Sequence, residues 1–222
     1  MGWIEFTTVF AAFFLTHSIP VRPAVKSRLV DRIGTRGFGL AYSTLSVAML
    51  AVLIWSVGEA PHVQLWLQMD WHRHTAHLGM LAVCLILAFS VARPNPFSFG
   101  GARNNSFDPN RPGIVRWTRH PILLALAIWA GAHLLPNGDL AHVVLFGVLG
   151  SFAVAGCALI DRRKRRTLGT SRWFALEAAR KAGPRFHMPD SWRRFGIRFI
   201  VGLATFAALI WAHPYIIGVH AL

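Results

Sequence analysis

The chain has 222 residues, of which 54% are hydrophobic and only 14% charged, with a mean hydropathy of +0.44. A soluble domain carries roughly a quarter charged residues, so the soluble layered folds are excluded. The formal net charge of +14 does not mark a nucleic-acid binder, because the basic residues lie between long apolar runs, where the positive-inside rule of membrane proteins puts them.

In chain order, six apolar segments predict helices at about 3–21, 37–57, 76–92, 121–136, 140–160 and 197–217. Several are shorter than the ~20 residues of a perpendicular membrane span. Residues 1–21 contain no Lys or Arg, so they lack the basic start of a cleavable signal peptide and are expected to insert as an anchor. In the first segment, Pro20 removes the backbone hydrogen bond to the carbonyl of Thr16, which predicts a kink or an end around His17. The loop 93–120 is rich in Pro, Gly and Asn and reads as irregular. "NGD" at 137–139 reads as a tight turn that pairs the fourth and fifth spans in an αα-hairpin. The run 161–185 is basic, with an apolar stripe at Leu168, Trp173, Leu176 and Ala179. It reads either as a solvated basic loop or as a short helix on the inner leaflet, with Arg162–Arg166 among anionic headgroups.

Loop charge sets the expected topology. Twenty-two of the 23 Lys and Arg residues fall in alternate loops, at 22–36, 93–120 and 161–198. These are the expected cytoplasmic loops, which leaves both termini on the outer, periplasmic side. The expected fold is therefore all-α: an integral membrane helical bundle of about six transmembrane helices. It forms a single domain over 1–222, with a basic cytoplasmic loop or interfacial helix at 161–196. Cys84 and Cys157 fall in apolar segments without a CxxC motif, and read as small packing residues.

Eleven histidines are many for this length, and ionisable groups within spans are costly and tend to be functional. His62, His72, His74, His77, His142, His213 and His220 fall near the outer side, and His187 in a cytoplasmic loop. His17, His120 and His133 remain as those in or beside apolar sequence. Phe10, Phe13 and Phe14 share helical spacing with His17, which reads as an aromatic face with one histidine or as a binding site. Pro121 suits a first helical position, so Arg119 and His120 sit at the entrance of the fourth span. His133 follows Trp129 by one turn. His120 and His133 are separated by about 140° around the helix and ~20 Å along it, so one small site cannot take both. Haem iron takes axial histidine in an aromatic-lined bundle. A zinc or di-iron cluster or a proton relay would want buried carboxylates, which the spans almost lack.

The motifs also carry a resemblance. "RHP" at 119–121, Trp129, His133, "NGD" at 137–139, "LFG" at 145–147, "IDRR" at 160–163, and Gly169 with Trp173 together resemble the NnrU family of bacterial membrane proteins. So do "NP" at 95–96 and the opening "THSIP…R…RIGTRGFGLAYSTLSV" at 16–47. NnrU proteins are similar to the plant enzyme 15-cis-zeta-carotene isomerase, a haem b protein whose redox state governs cis–trans isomerisation of a polyene. The resemblance implies iron ligation by His17 and His133, with Arg119, His120 and Trp129 as further cofactor-binding candidates and His62 as a loose counterpart of a third histidine. It also implies a multi-pass protein of the bacterial inner membrane, in a context of nitrite and nitric oxide metabolism (denitrification). The expected partners are the bilayer, a hydrophobic small-molecule substrate and respiratory membrane proteins, without nucleic acid. On the expected topology His17 and His133 differ in depth by ~10–15 Å, and depth alone prefers His17 with His120.

Two other readings stand at this point, and whether the protein is an enzyme is open. The layout is also similar to membrane methyltransferases that use S-adenosylmethionine, although "TSRWF" at 170–174 lacks their Glu-Tyr. The third reading is a non-catalytic assembly factor for a respiratory reductase.

Overall fold

The computed structural model describes residues 1–182, 185–186 and 188–219. His187 and His220 lie outside the described residues. Seven α-helices are found among those described: α1 (Trp3–Ser18), α2 (Pro23–Gly58), α3 (Asp70–Ser90), α4 (Pro121–Leu134), α5 (Leu140–Leu168), α6 (Thr170–Ala182) and α7 (Trp192–Ile217). Each expected apolar segment falls on one of them. Helices α2, α3, α5 and α7 are long and apolar enough to cross a membrane, and α4 is a shorter apolar helix.

The chain divides into two compact units: residues 1–66 with 139–145, and residues 67–138 with 146–222. In the first unit α1 packs on α2. Phe6, Phe10 and Phe13 recur at helical spacing and are buried, so the apolar stripe of α1 is what it buries. The helix ends at Ser18, at the expected place. Helix α2 begins on Pro23 and breaks at Gly34, whose φ of 72° suits glycine. The basic stretch 23–33 thus precedes the break, and the apolar span follows it.

In the second unit α3 packs against both α4 and α7. The close approaches use small residues, as in membrane bundles generally. A Cβ on Gly79 of α3 would meet the Ala132 Cβ at 2.7 Å, and one on Gly202 of α7 would meet the Leu85 side chain at 2.8 Å. Gly150 faces Ala130 and Gly156 faces Leu123, an antiparallel register for α4 and α5 that agrees with the expected hairpin.

The region 161–196 differs from the reading as an independent basic loop. Helix α5 runs on through "DRRKRRTL" to Leu168, and α6 follows after Gly169, which has φ +82°. Part of the apolar stripe packs against the protein itself. Trp173 is 2% exposed and joins Phe97 and Val115 in a buried cluster, with Leu168 and Leu176 packed against it. The stripe faces the protein's own 93–120 loop because that loop offers buried aromatic and aliphatic partners. The loop itself is irregular apart from two short 3-10 turns, at Asn104–Ser106 and Gly113–Arg116. Cys84 and Cys157 are free thiols.

Candidate functional site

The second unit holds two sites, one at each end of α4. At its N-terminal end the chain buries an ionic cluster. His120 precedes Pro121, and Arg119 precedes His120, so both side chains enter where α4 starts. Arg119 grips Asp161 of α5 with Nη2 at 2.7 Å and Nε at 3.2 Å, and donates to Glu177 of α6 through Nη1 at 2.7 Å. Arg180 donates to the same Glu177 from Nε and Nη2, at 2.7 and 2.8 Å. Its Nη1 closes on the carbonyls of Val115 and Arg116. Glu177 and Arg180 share a face because they are three residues apart on a helix. His120 is 3% exposed, with Nε2 3.0 Å from Asp161 Oδ1 and Nδ1 3.1 Å from Ser98 Oγ. Asn95 donates its side-chain amide to the Arg119 carbonyl at 3.0 Å. Two guanidiniums therefore face two carboxylates, with a histidine completing the set.

The electrostatics follow from this geometry. Burial pushes the Glu177 carboxyl up, but Arg180 and then Arg119 outweigh it and hold it at about 2. Burial works against the charge of Arg119, yet Asp161 and Glu177 raise its pKa above the ordinary value. Burial lowers the His120 pKa, against the opposing pull of Asp161. A neutral imidazole then donates from Nε2 to Asp161 and accepts at Nδ1 from the Ser98 hydroxyl. Trp173 lies beneath the cluster, with the Arg119 guanidinium 5.5 Å and the Arg165 guanidinium 4.3 Å from its ring. Among the described residues its buried indole N–H meets no hydrogen-bond partner.

The cluster should make the protein acid-labile. His120 has a folded pKa below its unfolded 6.5, so the unfolded state binds the extra proton and stability falls as pH drops below 6.5. Glu177 has a folded pKa depressed from 4.5 to about 2, so its contribution is present above 4.5 and is lost as pH falls from there towards 2. Both act in the same direction. The thermal unfolding midpoint in detergent is expected to fall on acidification in two stages, and His120→Gln to flatten the stage nearer neutrality. A midpoint that holds down to pH 4 in the wild type would contradict this.

At the other end of α4, His133 lines a cavity of about 450 Å³. Its Nδ1 lies 2.9 Å from the Trp129 carbonyl, one turn back, which assigns the proton to Nδ1 and leaves the lone pair on Nε2. The rings of Trp129 and Phe146 each lie 5.3 Å from the imidazole. His77, Arg73 and Met80 of α3 line the same cavity, as does His213 of α7, with Phe206, Leu209 and Ile210 as its apolar wall. Among the described residues no three His, Cys, Asp or Glu side chains are grouped to hold a metal ion.

His17 belongs to the first unit. Its ring stacks on Phe13 at 5.6 Å, and its Nδ1 is 3.5 Å from Ser46 Oγ. The Tyr42 hydroxyl donates to the His17 carbonyl at 3.0 Å. His62 is also in the first unit. Its side chain is 74% exposed and lies 3.1 Å from Asp139, which His142 contacts as well. Asp139 further accepts from the backbone N–H groups of Val63 and Ala141, so it ties the first long loop to the start of α5.

The structure thus brings Arg119 and His120 into one site and Trp129 and His133 into the other. Sequence reasoning missed the partners: Asp161, Glu177, Arg180, Ser98 and Asn95 in the cluster, and His77, Arg73 and His213 in the cavity. A signal existed for the cluster. Asp161 and Glu177 are two acids within a run dominated by arginine, and Glu177 stands three and four residues before Arg180 and Lys181.

These features define a helical membrane protein with a charge-locked loop at one end of α4 and a histidine-lined cavity at the other. A family model described as NnrU protein matches residues 5–221, nearly the whole chain. The chain belongs to the NnrU family. No curated protein and no solved structure matches it.

Proposed function

We propose that this NnrU-family protein is a haem b-binding, multi-pass protein of the bacterial inner membrane, in which His133 would hold the iron. The observation that carries the reading is the state of His133. Its Nδ1–H is held by the Trp129 carbonyl at 2.9 Å, which leaves the lone pair on Nε2, and the residue lines a cavity of about 450 Å³. Metal-ligating histidines characteristically have their second nitrogen fixed in this way.

The other residues suit the same group. A porphyrin supplies four of the iron's ligands, so one or two histidines suffice where a bare ion would need a cluster. Arg73 is placed to meet a propionate, and the apolar wall of α7 to cover the macrocycle. The family resemblance also implies iron ligation by His17, a residue of the first unit. When bound, haem supplies a redox-active iron whose oxidation state can gate chemistry on a bound molecule. The chain's own contribution is to fix the imidazole, hold the acid groups and shield the site from water. The family context suggests that this serves nitrite and nitric oxide metabolism, or redox-gated isomerisation of a hydrophobic polyene such as zeta-carotene.

The donors of Arg119 and His120 are committed to Asp161 and Glu177. The methyltransferase reading is disfavoured by "TSRWF" at 170–174, which lacks the Glu-Tyr of those enzymes. The test is the optical spectrum of detergent-purified protein, oxidised and dithionite-reduced, with a pyridine haemochrome assay. The expected result is a Soret band and near-stoichiometric haem b. Protein that stays without a Soret band after expression with added haem would overturn the proposal.

A further inference from the structure

We propose that a cleft between α3, α7 and the 93–120 loop binds the phosphate headgroup of an anionic phospholipid. The cleft has a volume of about 420 Å³ and lies in the second unit, where α3 ends and α7 begins. Arg93, Arg111, Arg185, Arg194 and Arg198 line it, against one carboxylate, Asp190. Five positive charges less one negative leave +4. Asp190 is occupied by Arg111 at 2.9 Å, and Arg198 donates to the carbonyls of Ala88 and Val91 that end α3. Arg111 and Arg198 are thus engaged within the protein, and Arg93, Arg185 and Arg194 are the other cations that line the cleft.

Two further observations point to an anion with a lipid tail. The cleft opens at the N-terminus of the 26-residue α7, where Ser191 Oγ caps the Arg194 N–H and the helix dipole favours negative charge. Its inner wall is apolar: Leu85, Ile86 and Phe89 on α3, and Phe195 on α7. That wall continues onto Phe199, Ile200 and Leu203, which are 41%, 65% and 39% exposed along α7. A headgroup held by the arginines would lay its acyl chains on this face. A soluble phosphate would use the charge and leave the apolar wall wet. The positive-inside rule assigns this end of α3 and α7 to the cytoplasmic leaflet, where anionic lipids are found. The cleft is separate from the basic run Arg162–Arg166 on α5.

The test is native mass spectrometry of the full-length protein, delipidated in mild detergent and titrated with phosphatidylglycerol, phosphatidylcholine or inorganic phosphate. The wild type should retain one phosphatidylglycerol in preference to phosphatidylcholine, and millimolar phosphate should not displace it. R93Q/R194Q should weaken that binding roughly thirtyfold, from the loss of two phosphate contacts. R28Q/R32Q, with the same charge change on exposed residues of α2, should leave it unchanged. Helicity by circular dichroism checks that each variant is folded. Equal weakening in both variants, no preference over phosphatidylcholine, or displacement by phosphate would each overturn the proposal.

Discussion

Replacing Arg119 with methionine is expected to cost about 3–5 kcal/mol of stability, the usual penalty for removing one partner of a buried ion pair. The side chain is 27% exposed, but its partners are not: Asp161 is 11% and Glu177 7% exposed. The variant leaves Asp161 with only the His120 contact, and Glu177 with Arg180 and the solvent-facing Lys181. The stranded carboxylate is therefore Asp161. R119M/D161L should recover a large part of the loss, because replacing both partners by apolar groups of similar volume removes the uncompensated charge. D161N alone should cost less than R119M, since an amide can still accept from Arg119. Denaturant or thermal unfolding in detergent gives the ranking. A wild-type-like R119M would show that the cluster does not hold the loop, α5 and α6 together. R119M/D161L no more stable than R119M would show that the penalty is packing and not charge.

That cluster marks the limit of what the sequence could reveal. The helices were legible because each is written locally: apolar runs of span length, Pro121 at a helix start, Pro20 just past the end of α1, and "NGD" between α4 and α5. The family was legible because its motifs are short and contiguous. The partners were not, because they meet across long separations. Arg119 and Asp161 are 42 residues apart, and Arg119 and Glu177 are 58 apart; no periodicity encodes such a pairing. The stripe of α6 was legible as amphipathic, but its partner was not. Leu168, Trp173 and Leu176 have the pattern of a helix on a bilayer, and only the three-dimensional arrangement shows that Phe97 and Val115 cover them. For the same reason His77 and His213 read as residues of the outer side, whereas α3 and α7 bring both onto the cavity that holds His133.

On the proposed reading, His133→Ala is expected to lose haem by more than the roughly 10- to 100-fold that removing an outer-shell partner costs a metal site, because it would remove the ligand itself. The fold should survive the change. His133 is half-buried at the end of α4, and its Nδ1–H bonds the Trp129 carbonyl on its own helix. Neither Asp161 nor Glu177 depends on it. The variant should therefore insert, purify and keep its helicity while the Soret band disappears. A structural histidine would behave otherwise, with yield and helicity falling together with the haem. His133→Met offers a second readout, since exchange of an iron-ligating histidine for methionine raises the reduction potential of the iron; a haem that remained bound with a raised potential would identify His133 as a ligand. His17→Ala, His77→Ala and His213→Ala then separate the candidates for a further iron ligand. Loss of haem in His17→Ala follows from the family resemblance, whereas loss in His77→Ala or His213→Ala would follow from the shared cavity. Full haem content with an unaltered spectrum in His133→Ala would remove this residue from the site and leave the cavity at the end of α4 to another ligand.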